Sequence, residues 1–113
     1  MLTRFRQLCL AVAGLWAFAT PLMAATSAPQ ALFNNLSRAA PGLNPVALQH
    51  ALAAMQCALN SGAERAQRLA VIDYSQPSTA RRLWIFDLRK QALLLQDLVA
   101  HGQKSGENFA TRF

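Results

Sequence analysis

Negative charge is scarce in this chain. Five Asp and Glu stand against eleven Lys and Arg, for a formal charge of +6. The basic residues are scattered, apart from Arg81-Arg82 and Arg89-Lys90, and no basic stripe is interleaved with aromatics. That spread argues against nucleic-acid binding and describes a solvated surface. A positive surplus of this kind favours anionic surfaces such as cell-wall polymers, lipid head groups or nucleic acid. Cysteine is scarcer still, with only Cys9 and Cys57. Two histidines at wide spacing complete a set too sparse for a zinc signature. No cofactor and no metal site is therefore expected. Long apolar runs are also missing: Leu8 to Ala19 covers about a dozen residues, short of the roughly 20 a membrane-spanning helix needs.

What is present at the start is an export layout. Arg4 and Arg6 precede the Leu8–Ala19 run, Pro21 breaks it, and Leu22-Met23-Ala24-Ala25 offers small residues for cleavage. Residues 1–25 read as a signal peptide, which places the remainder in the periplasm or cell envelope with no stable membrane span. Cys57 is then the sole cysteine, and an internal disulfide is excluded.

Two helices follow in a pre-domain over residues 26–68. Ser27-Ala28-Pro29-Gln30 has the form of a capping box, with proline tolerated in the first turn. Leu32, Phe33 and Leu36 form an apolar stripe, which Pro41-Gly42 ends. Asn44-Pro45 opens the second helix, and Leu48, Leu52, Met55 and Leu59 share one face of it. Asn60-Ser61-Gly62 stops it.

From Leu69 the period changes. Leu69 to Ile72 reads as a short interior strand, and Asp73 to Thr79 as turn chemistry. Arg82 to Leu88 reads as a second strand, with Leu83, Ile85 and Asp87 on one face and Trp84, Phe86 and Leu88 on the other. Arg89-Lys90-Gln91 reverses the chain, and Ala92 to Ala100 returns as an antiparallel third strand. The reversal has no glycine, so Gln91 is expected to take the positive φ such loops require.

Three segments in order carry a resemblance: Val71-Ile72-Asp73-Tyr74-Ser75 with Pro77-Ser78-Thr79, Arg82 to Leu88, and Leu98-Val99-Ala100-His101-Gly102 with Ser105-Gly106 and Ala110-Thr111. Together they resemble the opening of the murein L,D-transpeptidase catalytic-domain family, a branch of the YkuD-like enzymes. The resemblance implies an α+β chain in which residues 69–113 begin a mostly β catalytic domain. It implies a cysteine nucleophile that attacks peptidoglycan stem peptides and forms an acyl-enzyme. In the family that cysteine, in a Ser-x-Gly-Cys type segment, and its histidine lie downstream of the Ala-Thr loop. The resemblance thus implies an incomplete, inactive domain here, with peptidoglycan as partner.

No residue present is assigned a catalytic role. Cys57 reads as a small buried hydrophobe within its helix, His50 as solvent-facing, and His101 as a residue at the rim of a strand. Asp73 and Asp87 read as partners for hydrogen bonds or for Arg81, Arg82 or Arg89, with an acid–base pair as the sharper alternative. Gly102 to Gly106 lacks the features of a phosphate loop and reads as an ordinary loop. Three strands and one amphipathic helix cover one sheet face, so the other is expected to lie open, with edges prone to aggregation. The competing readings are a small exported basic binding protein of the envelope and a structural protein anchored by an uncleaved Met1–Ala24 segment.

Overall fold

The computed structural model describes residues 25–112. The expected signal peptide falls almost wholly outside these residues. Two helices, α1 (Ala28–Ala39) and α2 (Pro45–Asn60), precede three strands, β1 (Arg68–Ile72), β2 (Leu83–Asp87) and β3 (Ala92–Asp97). The strands form an antiparallel sheet in the order β1-β2-β3. The α+β class holds.

The local chemistry of the helix starts differs from expectation at one of the two. Asn44 caps α2 through its side chain, which accepts from the Val46 amide at 2.9 Å. Ser27 stands at the cap of α1 but makes no side-chain capping bond. Gln30 instead donates to Asn34 at 3.0 Å, one turn along the same helix, so the capping box does not form. Gly62, at φ +91°, follows the end of α2 in a conformation that favours glycine.

One face of the sheet is packed. In the β1–β2 register Val71 lies opposite Trp84 and Leu69 opposite Phe86. Trp84 and Phe86 are buried with Val71, Leu36, Ala40, Leu43 and Leu48 in one core that joins both helices to the sheet. Helix α1 packs against β3, and α2 against β1. The alternation along β2 falls as expected, with the Trp84–Phe86 side inward. The opposite face carries Ile72, Leu83 and Ile85, all half-buried, and Leu95, 45% exposed. No helix covers them among the described residues.

Three strand expectations change. Strand β1 lies at an edge of the described sheet rather than in its interior. Strand β3 ends at Asp97, three residues before Ala100. The Asp97 carboxylate accepts from the Leu98 amide at 2.8 Å, and the Val99 carbonyl is taken by Arg82, so the chain leaves the ladder there. The β2–β3 register also shifts between Ile85 and Phe86. The shift inserts Leu94, 49% exposed, into a run of three leucines. Gln91 does take positive φ, at 52°. Its side chain accepts a hydrogen bond from Asn35 of α1, which holds the reversal against the helix.

This one-sided packing has a measurable signature. Leu36→Ala should destabilise the chain by about 3 kcal/mol in equilibrium urea unfolding, because a fully enclosed side chain leaves a cavity. Ile85→Ala, on the open face, should cost about 1 kcal/mol. Equal losses would mean that the outer face is covered.

Candidate functional site

The chemistry-bearing side chains gather where β1 ends and β2 begins, beneath the segment that follows β3. The Asp73 amide extends the ladder by donating to the Arg82 carbonyl at 2.9 Å. The Asp73 carboxylate then turns the chain. It accepts from the Ser75 amide at 3.0 Å, the Ser75 hydroxyl at 2.6 Å and the Gln76 side chain at 3.0 Å. Gln76 also reaches the Gly42 carbonyl between the helices, at 3.4 Å. Burial pushes the Asp73 carboxyl up, but hydrogen bonds from Ser75, Gln76 and the Asn44 backbone outweigh it and hold the group below the ordinary carboxylate value.

Arg82 is the centre of the arrangement and is fully buried. Its Nε and one terminal nitrogen donate to the Val99 carbonyl at 3.1 and 3.0 Å, and the other terminal nitrogen donates to the Gln76 carbonyl at 2.9 Å. The nitrogen that meets Val99 also lies 2.8 Å from Nδ1 of His101. A guanidinium only donates, so Nδ1 accepts and the proton of the neutral ring sits on Nε2. That nitrogen faces the Gly106 carbonyl at 3.2 Å and donates to it. The guanidinium carbon lies 5.0 Å from the centre of the Tyr74 ring, within cation–π range.

The segment after β3 is closed on itself. The Ser105 carbonyl accepts from the Thr111 and Arg112 amides at 2.7 and 3.1 Å, and Ser78 donates to the Asn108 carbonyl at 2.6 Å. Gly106 is required: φ is +139°, and a Cβ there would lie 1.9 Å from the Phe109 carbonyl oxygen. Between this segment and Tyr74 is a depression of about 270 Å³ bordered by His101, Gly102, Ser105, Ala110 and Arg112. A larger apolar groove, about 710 Å³, runs between the helices past Leu32, Phe33, Leu52, Met55 and Leu59.

The candidates from sequence fall as follows. Cys57 is exposed, not buried. It lies nine residues beyond buried Leu48, about two and a half helical turns, and so faces away from the core. His101 is half-buried at the strand rim, and both its ring nitrogens are engaged, which leaves no dyad with Cys57. His50 is exposed, as expected. Asp87 accepts from the Lys90 amide at 2.8 Å, which with nearby Arg89 and Lys90 keeps its carboxyl below the ordinary value. Asp73 and Asp87 sit at opposite ends of β2, roughly 17 Å apart at five strand residues, so they do not form an acid–base pair. Asp87 also takes a backbone hydrogen bond from Arg89, whose charge lies nearby, whereas no arginine bonds Asp73. Among the described residues no group of three metal-ligating side chains exists. The sequence pattern puts Arg82 in a solvated basic pair, whereas the structure buries it fully.

Arg82→Met should cost about 2–4 kcal/mol in urea unfolding, because it strands the Val99 and Gln76 carbonyls. Arg82→Lys should also destabilise, since one ammonium cannot reproduce the planar fork. Asp73 links stability to pH. Its folded value is lowered, so its contribution is present above the ordinary pKa of about 3.9 and is lost as pH falls through the lowered value. Asp73→Asn should therefore be less stable than the parent at pH 7, and the gap should narrow as pH falls below the ordinary carboxylate value. A constant gap across that range would rule out the hydrogen-bonded carboxylate as its source.

No curated protein and no solved structure matched the chain. The model of one family, the L,D-transpeptidase catalytic domain, matches residues 39–113. The match takes in α2, all three strands and the Arg82–His101 cluster. The chain belongs to the L,D-transpeptidase catalytic domain family.

Proposed function

We propose that this chain supplies the helical pair and first strands of an exported enzyme that performs cysteine acyl transfer on peptidoglycan stem peptides. The family match over residues 39–113 is the observation that carries this reading. The open face of the sheet supports it, because Ile72, Leu83, Ile85 and Leu95 offer an apolar surface on which further strands of such a domain would pack. Export follows from the layout of residues 1–25, and no helix among the described residues is long and apolar enough to cross a membrane.

The transfer needs a thiolate beside a histidine that lowers its pKa, and backbone donors for the tetrahedral oxyanion. Cys57 lies exposed on α2, and His101 has spent both nitrogens on structure. Acyl transfer therefore waits on a cysteine segment downstream of Ala110-Thr111, where the family carries it. Residues 25–112 serve as framework. Whether the complete enzyme cross-links, tethers or trims stem peptides depends on that downstream segment.

The test has two parts. The purified 113-residue chain, offered peptidoglycan stem peptides and a labelled D-amino acid, should incorporate none, and Cys57→Ala should behave identically. Turnover that disappears in Cys57→Ala would overturn the framework role. Sequencing beyond the Phe113 codon should reveal a Ser-x-Gly-Cys type segment, in frame or in a shifted frame. Recovery of the protein from the cytoplasm with residues 1–25 intact would remove export from the reading.

A further inference from the structure

Arg82 presents an electrostatic imbalance that its structural role does not resolve. A guanidinium removed from water costs several kcal/mol unless its charge is balanced. Its partners here are two carbonyls, a neutral imidazole nitrogen and an aromatic face, and no carboxylate pairs with it among the described residues. Four hydrogen bonds engage all three guanidinium nitrogens but leave the charge. Tyr74 and His101, the two side chains in contact with that guanidinium, are also walls of the 270 Å³ depression.

The depression repeats the imbalance at its mouth. Arg112 lines it, is exposed, and its side chain makes no polar contact among the described residues. No acidic side chain borders it. Lys104 and Glu107 lie on the same segment, are both exposed, and stand outside the lining. Gly102 and Ala110 keep part of the wall low, and Tyr74 supplies an apolar side. Such a space suits one amino-acid-sized group with an anionic end.

We propose that this depression is a subsite for the carboxylate of an acylated amino acid or short peptide, held by Arg112 and favoured by the field of buried Arg82. The carboxylate takes a forked pair of hydrogen bonds from the Arg112 guanidinium. The small side chain of the same residue lies against Tyr74, Gly102 and Ala110. His101 does not bind it directly, since its nitrogens are committed; it fixes the Gly102–Gly106 wall. The proposal rests on the stem-peptide reading for the identity of the ligand, because those peptides carry free carboxylates, and it adds the place where one is held.

The test is titration of the ¹⁵N-labelled intact protein with N-acetyl-D-alanine at constant ionic strength. The Gly102, Ser105 and Ala110 amides should shift saturably. Arg112→Ala, an exposed substitution that leaves the core intact, should weaken binding by about tenfold, and Arg112→Lys should retain part of it. N-acetyl-D-alanine amide, which lacks the charge, should produce no saturable shift. Equal binding of the amide, unchanged affinity in Arg112→Ala, or inorganic phosphate binding as tightly as the carboxylate would each overturn the assignment. Absence of binding would leave the acyl-transfer reading standing, and failure of the exchange assay would leave this titration readable.

Discussion

A single buried cation organises the functional end of this molecule. Arg82 reaches across the sheet end to hold Val99, Gln76 and His101 together, and through His101 it holds Gly106. The turn after β1 and the segment after β3 contribute no residue to the apolar core, and ordering such backbone costs about 1–2 kcal/mol per residue. A planar group with five donors is suited to tying several carbonyls at once, which an ammonium is not. Asp73 performs the corresponding task on the other side, joining the turn to Asn44 and, through Gln76, to Gly42 between the helices.

The rest of the stability comes from a core on one side only. Trp84 and Phe86 are the largest apolar side chains in it, and both helices lean on them. The division of β2 leaves Trp84 and Phe86 sealed on one side and Leu83, Ile85 and Asp87 half-buried on the other. The framework and the polar cluster are thus neighbours on the same strand: alternate residues 82, 84 and 86 point to the same side, one ending in a charge and two in aromatic rings.

Much of this was legible in the residues themselves. Helical spacing of Leu48, Leu52, Met55 and Leu59, the Asn44 cap and the alternation of β2 state their structures locally. Gln91 was legible because a glycine-free reversal leaves few places for a positive φ. Arg82 was not, because a pair of adjacent arginines looks solvated and its partners are backbone carbonyls, which have no signature. The one available signal was its spacing of two from Trp84, which puts it on the inward side. The length of β3 was hidden for a similar reason: Leu98 and Val99 are good strand residues, and only a side chain 17 positions upstream removes the Val99 carbonyl from the ladder. Cys57 was misplaced because α2 has a narrow buried face, with Leu48 its only fully buried residue. The downstream chemistry rested on the family alone.

The contact between Asn35 and Gln91 has a further meaning for the hairpin. Side chains of a strand alternate with a period of two, so closing β3 on β2 one residue out of step would exchange the sides that the β3 residues face. Three successive leucines in β3 do little to forbid that slip, because each satisfies either side. The Asn35 amide meets Gln91 only when the reversal lies where it does here. Helix α1 therefore serves as a gauge of the hairpin's alignment, accepting one closure among several that hydrophobicity alone would allow.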